Sequence, residues 1–138
     1  MAALTRERLG EWTAGYERAW REPGTDRLAE LFNADATYST APYEEPHRGL
    51  EAIAAMWEEE RSPGEQFTIE SEIVAVEGDI GVVRVQVDYE RPRRQQYRDL
   101  WIIRVDDGGR CIHFEEWPFW PPGSGGAAAG GAAGPSPA

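Results

Sequence analysis

The second half of the chain is built on a period of two. From Gln66 to Val76, Ile80 to Glu90, Gln95 to Asp106 and Arg110 to Trp120, β-branched and aromatic residues recur with the alternation of strands. The breaks are short. Glu77-Gly78-Asp79 and Asp107-Gly108-Gly109 are tight-turn sequences, because glycine takes a positive φ at little steric cost, and Arg91-Pro92-Arg93-Arg94 makes the third turn. Strands joined this closely must be antiparallel neighbours, since a parallel crossover needs about a dozen residues. Whatever precedes this meander has to cover one face of it.

What precedes it is helical. Thr5 is placed to cap a first helix, along which Leu9, Trp12, Tyr16, Ala19 and Trp20 form one stripe, and Pro23-Gly24 ends it. Thr25 is placed to cap a short second helix carrying Leu28, Leu31 and Phe32. Ala36 to Thr40 reads as a short strand. A third helix starts after Gly49, with Leu50, Ile53, Met56 and Trp57 on one face, and stops at Ser62-Pro63-Gly64. Helices first and an antiparallel meander last predict an α+β fold.

From Pro121 to Ala138 the chain holds only Gly, Ala, Pro and Ser, with nothing to bury. Residues 1–120 are expected to form one domain and 121–138 a disordered tail. All six Trp, five Tyr and four Phe fall in the domain, enough to fill a core or line a cavity. A net charge of −11 argues against a nucleic-acid partner, and the Arg91–Arg94 turn with Arg98 reads as an exposed hairpin tip. A single cysteine, Cys111, excludes an internal disulfide framework. No apolar run approaches membrane-spanning length, so a cytoplasmic protein without a membrane partner is expected. No His/Cys/Asp cluster has ligand spacing and no Gly-rich loop follows a strand, so neither a metal nor a cofactor is expected.

Three local patterns occur in a telling order: Asp35-Ala36-Thr37 entering a strand, Glu45-Pro46-His47-Arg48-Gly49 before the third helix, and the closing Phe114-Glu115-Glu116-Trp117. Over most of residues 8 to 120 the chain thereby resembles the SnoaL-like branch of the nuclear transport factor 2 superfamily. The resemblance implies three N-terminal helices on a strongly curved, mostly antiparallel sheet that forms a cone with one pocket. It also implies a small apolar or aromatic ligand and a homodimer built on the convex side of the sheet. The superfamily holds both enzymes and binding modules. The expected function is a cofactor-free acid–base enzyme of hydrolase, isomerase or cyclase type; the alternative is a non-catalytic small-molecule-binding or interaction module.

The strand from Val82 to Tyr89 poses a choice of face. Val83, Val85, Val87 and Tyr89 share one parity, and Arg84, Gln86 and Asp88 the other. Burial puts the valines against the helices. Resemblance to limonene-epoxide-hydrolase-like enzymes instead aims the polar set into the pocket, and both readings stand at this point. Tyr97, Asp99, Trp101, Ile103 and Val105 share an inward parity, as do Ile112, Phe114 and Glu116. Asp99 and Glu116 are then carboxyls on apolar faces and must be paired, hydrogen-bonded or protonated, with Arg84 a partner if it too faces in. Cys111, His113, Glu115 and Trp117 share the outward parity.

The candidate catalytic residues are Glu116, Asp88 and Tyr38. The candidate ligand-binding residues are Tyr16, Trp20, Thr40, Trp57, Arg84, Gln86, Asp99, Trp101 and Phe114. In epoxide hydrolases of this fold a Tyr, an Asn and a carboxylate hold the attacking water, with an Arg and a second Asp as acid–base partners. The chain resembles that set at Tyr38, Asp88 and Glu116. It departs at Thr40, which replaces the Asn, and at Gln86, which replaces the Arg. Tyr16 resembles the oxyanion-hole Tyr of ketosteroid isomerases, but Thr40 stands in the place of their base, and an ordinary hydroxyl does not deprotonate a carbon acid.

Overall fold

The computed structural model describes residues 3–123; the stretch expected to be a disordered tail lies, from residue 124 onward, outside the described residues. The elements are α1 (Arg6–Arg21), α2 (Leu28–Leu31), β1 (Phe32–Ser39), β2 (His47–Arg48), α3 (Leu50–Glu60), β3 (Gln66–Glu77), β4 (Ile80–Arg91), β5 (Gln95–Val105) and β6 (Cys111–Phe119). Thr5 caps α1 as expected, its Oγ1 accepting the Arg8 N–H at 3.0 Å. Thr25 contributes only its carbonyl to α2, which is a single turn, and Phe32 already opens β1. Gly49 begins α3 at φ +87°, a conformation that other residues rarely adopt, and its N–H bonds the Ala36 carbonyl at 2.8 Å. That bond fixes the start of α3 against β1.

The strands form one open, curved sheet in the order β2-β1-β6-β5-β4-β3. The meander β3 to β6 is antiparallel throughout. The β1–β6 pair is parallel, with Tyr38 opposite Phe114, so the sheet is mixed. Two of the tight turns carry positive-φ glycines, Gly78 and Gly109.

The core lies between α1, α3 and one face of this sheet. Val83, Val85, Val87 and Tyr89 of β4 are buried, as are Tyr97, Asp99, Trp101, Ile103 and Val105 of β5 and Phe114 and Glu116 of β6. In register, Val83 faces Trp101, Val85 faces Asp99, and Trp101 faces Glu116. The stripe of α1 meets these rows through rings: Trp12 and Phe114 have centroids 5.8 Å apart, and Tyr16 and Trp101 4.5 Å. Gly81 lets the helix come this close, because a Cβ there would lie 2.6 Å from the Leu9 Cδ2.

Two expectations need correction. The valine row of β4 faces in, so Arg84, Gln86 and Asp88 point to the opposite face. Alternation and burial decide this strand: the inward valines contribute apolar area, whereas an inward Arg84 would need a desolvated partner. Cys111 is buried, because a register shift between Arg104 and Val105 inverts its parity relative to His113.

Candidate functional site

Four polar side chains meet in the aromatic interior. Tyr16 comes from the middle of α1, Tyr38 from β1, Asp99 from β5 and Glu116 from β6. The two phenol oxygens lie 2.6 Å apart, and the Tyr38 hydroxyl donates to Glu116 Oε2 at 3.4 Å, a long bond. Trp101 Nε1–H donates to Asp99 Oδ2 at 3.0 Å. Asp99 and Glu116 are 3% and 1% exposed, and among the described residues they are the fully buried acids. Among the described residues no Arg, Lys or His is buried with them. Arg84 instead pairs with Glu72 at 2.7 Å on the outer side of the sheet.

The electrostatics follow from that isolation. Burial, then the charge of Asp99, raises Glu116 well above the ordinary carboxyl range. Burial raises Asp99 too, but hydrogen bonds from Glu116 and Trp101 oppose it. The two acids therefore titrate as one coupled pair, with burial opposing charge on both and most strongly on Glu116. Asp99 Oδ1 is buried without a partner of good hydrogen-bond geometry, while the backbone N–H groups of Trp117 and Leu100 also favour the charged form of Asp99. Tyr16 and Tyr38 are raised well above their usual value by burial and then by Glu116, so both stay neutral donors.

Aromatic rings occupy the space around this chain. Tyr38 and Phe114 are 4.5 Å apart, Tyr16 and Phe114 5.5 Å and stacked, and Trp57 lies edge-on to Tyr16 at 5.2 Å. Trp57 touches Trp20 at 4.8 Å, and Trp20 borders a cleft of about 550 Å³ with Arg21, Arg61, Glu65 and Phe67. Trp20 Nε1–H donates to Glu65 at 2.7 Å. Arg61 lies over both Trp20 and Trp57 and donates to the carbonyls of Trp20, Glu22 and Gly24. The cleft is thus one ring away from Trp57 and two from Tyr16.

The candidates sort cleanly by position. Tyr16, Tyr38, Asp99, Trp101, Phe114 and Glu116 come together in the interior, with Trp57 beside them and Trp20 at the cleft. Thr40 is buried just past β1, outside the hydrogen-bonded chain. Arg84, Gln86 and Asp88 are excluded from the site by their face; Asp88 accepts from Gln86 and Gln96 at 3.2 and 2.7 Å. The acid buried beside Glu116 is Asp99, not Asp88. Trp120 directly follows β6. Its ring stacks on Tyr97 at 5.4 Å, and its Nε1, like that of Trp57, is buried without a partner. Among the described residues no His, Cys, Asp and Glu side chains are grouped to hold a metal ion. No described helix is long and apolar enough to cross a membrane.

Residues 12–114 match the family model of the SnoaL-like domain. The chain belongs to this family. Structural neighbours agree with the fold. A LEH-like epoxide hydrolase of M. tuberculosis superposes with a TM-score of 0.65 at 16% identity, over 82% of this chain and 84% of the other. SalBIII, an epoxide hydrolase/cyclase-like enzyme with a role in pyran ring formation in the polyether salinomycin, gives 0.64 at 18%, over 83% and 92%. An NTF2-like protein of unknown function from Mesorhizobium loti gives 0.63 at 22%, over 86% and 97%. No curated protein matches the chain. In this SnoaL-like domain Glu116 lies two residues past the matched stretch.

Proposed function

We propose that the Tyr16–Tyr38–Glu116–Asp99 chain is a cofactor-free acid–base site for a small, mostly apolar molecule, working in a hydrolysis, isomerisation or cyclisation. The observation that carries this reading is the pair of adjacent buried carboxyls with no cation beside them. Such a pair splits into one acid that keeps its proton and one base that does not. In a ring-opening or ring-closing addition, Asp99 takes the proton of the attacking hydroxyl as the new C–O bond forms. Glu116 gives its proton to the oxygen whose C–O bond breaks, and Tyr16 and Tyr38 hold that oxygen. The mutual hydrogen bond of the two acids then returns the proton from Asp99 to Glu116. Access runs from the cleft past Trp20 and Trp57, whose rings must swing.

The likeness to epoxide hydrolase and cyclase-like enzymes supports this class and makes epoxides and hydroxy-epoxides the first substrates to test. Glu116→Gln and Asp99→Asn are each expected to lower turnover by about 10² to 10⁴, with the fold retained by circular dichroism. A wild-type protein inert towards the whole panel, or a Glu116→Gln variant as fast as wild type, removes the catalytic reading.

A second reading, a non-catalytic binding module, is favoured by the ring-filled interior. It predicts compounds that raise the melting temperature without being converted. In either case a homodimer through the outer sheet face is proposed. Leu100 and Ile102 are half-buried there beside Trp117, which is 38% exposed. Sedimentation equilibrium giving a monomer at tens of micromolar, roughly the range of a weak interface, discards the dimer.

A further inference from the structure

We propose that the groove between α1, α2 and the β5–β6 turn is a binding site for an elongated molecule with an apolar middle and a carboxylate at each end. It is separate from the interior acids and does not depend on their role.

The groove has a volume of about 260 Å³. Arg8, Glu11, Gly15 and Arg18 line it at helical spacing, so they share one face of α1. Trp12 and Leu31 are its buried floor, and the Trp12 Nε1–H donates to the Leu31 carbonyl at 3.0 Å. Each of these polar groups satisfies the other, so the floor offers a ligand apolar surface.

Acids outnumber basic residues 25 to 14 in the chain, yet here the balance reverses, with Arg8, Arg18 and Arg27 against Glu11 and Glu30. Arg27 is committed to Glu22 at 2.9 Å and to Glu30 at 3.5 Å. Asp106, at the β5–β6 turn, is occupied by Asn33 and by the N–H groups of Gly108 and Arg110. Among the described residues the guanidinium groups of Arg8 and Arg18 have no ion pair and no hydrogen-bond partner. One exposed arginine bound only to water is ordinary. Two on the walls of one apolar-floored groove, in an acidic chain, make a site for anions, because the guanidinium fork matches a carboxylate.

The spacing sets the shape of the ligand. Arg8 and Arg18 are ten residues apart on α1, so their Cα atoms stand ~15 Å apart along the axis. Arg8 lies against the turn, where a Cβ at Gly109 would be 3.4 Å from its Nη1. Arg18 lies back along the helix over Gly15, where a Cβ would be 3.7 Å from its Nη2 and 3.2 Å from Leu31 Cδ2. Glycine in a helix interior is destabilising relative to alanine, and at position 15 it keeps the floor open. Glu11 lies between the two arginines in sequence and repels a charge in the middle of the groove. The two anionic groups therefore belong at the ends, with methylene or ring carbon over Trp12 and Leu31.

A series of linear dicarboxylates tests this: succinate, adipate, suberate and sebacate, with octanoate as the one-ended control. Each is titrated into the labelled full chain and read in the amide spectra of Gly15, Gly108 and Gly109. Suberate or sebacate should shift these glycines and bind at least about tenfold tighter than succinate or octanoate, since a short linker cannot span two anchors. Arg8→Gln and Arg18→Gln should each bring suberate down to the level of octanoate. Both side chains are exposed, so the melting temperature should hold. Glu11→Gln should tighten both ligands, and Glu116→Gln should change neither. Octanoate binding as tightly as suberate, or affinity indifferent to chain length, overturns the two-ended ligand. No shift at these glycines with any of the acids at millimolar concentration overturns the site, as does suberate binding that neither arginine variant weakens.

Discussion

The two faces of the β4–β5–β6 sheet carry the same kinds of residue under opposite conditions. On the outer face every acid named here has a partner reached through water-accessible bonds. Glu72 has Arg84 at 2.7 Å, Asp88 has Gln86 and Gln96, and Glu115 has His113 at 3.0 Å and Trp117 at 2.7 Å. On the inner face Asp99 and Glu116 have each other, one tyrosine hydroxyl, one indole N–H and the backbone N–H groups of Leu100 and Trp117, and no cation. Exposed ion pairs contribute from nothing to about 1 kcal/mol, so the outer set can be exchanged at little cost. The inner pair breaks the apolar pattern of its own strands and is destabilising where it stands. Acids kept under such conditions point to a site more strongly than acids comfortably solvated.

The sharpest break of this comparison is at Trp101. Its ring touches Tyr16 at 4.5 Å, Phe114 at 5.4 Å and Trp12 at 6.4 Å, and its N–H serves Asp99. Trp101→Ala opens a cavity and strips the acid of a donor, an expected loss of about 3–5 kcal/mol by urea titration. A loss below about 1 kcal/mol, the median for any substitution, would mean that the inner face is loosely packed and that ligand entry needs no ring displacement.

Next in size is Gly81→Ala. The added methyl would meet Leu9 at 2.6 and 3.0 Å and Leu4 at 3.0 Å, and Leu9 is fully buried. Overpacking of this kind costs about 1–3 kcal/mol. Because Gly81 packs on Leu9 and Leu4 and not on the acids, the loss should appear in the melting temperature and not in ligand affinity.

The pH profile tests the acids directly. Glu116 has a folded-state value above its unfolded one near 4.5, so between the two the native state binds the extra proton. Its stabilising contribution is complete below the unfolded value and is lost as pH rises towards the folded one. The slope reaches about 1.4 kcal/mol per pH unit while one proton is at stake. Glu116→Gln should remove that slope, leaving a variant that gains on wild type from roughly pH 5 upward. Parallel curves for the two proteins would show that Glu116 is ionised in the native state.

Much of this was legible in the residues. The four long strands, their turns and the inward rows of β5 and β6 follow from alternation and from Gly78 and Gly109, which are local signals. The parallel pairing of β1 with β6 has no local signal, since it depends on contacts between segments some 75 residues apart, such as Thr37 with His113. The parity of Cys111 was lost to a bulge that no residue type announces. The meeting of Asp99 with Glu116 depends on the β5–β6 register, which places Trp101 opposite Glu116. For β4 the resemblance and the alternation disagreed, and burial of Val83, Val85 and Val87 settled the matter.

The smallest expected effect is also the one that tests the assignment of faces most directly. Asp88 matches a catalytic acid of related folds by sequence position, yet its side chain lies on the outer face, bonded to Gln86 and Gln96. Asp88→Asn preserves the shape and keeps one acceptor oxygen; its NH2 replaces the other oxygen, and the solvent-accessible Gln96 amide can turn its own oxygen to it or bond water. Stability should therefore stay within about 0.5 kcal/mol of wild type, and ligand affinity and turnover should not change. Arg84→Ala should behave alike, because its pair with Glu72 is more than half exposed at both ends. If instead Asp88→Asn abolished turnover while Asp99→Asn did not, the reacting molecule would have to sit against the outer face. The inner acids would then be a structural pair, and the chemistry would belong to the side of the sheet now proposed to join two copies.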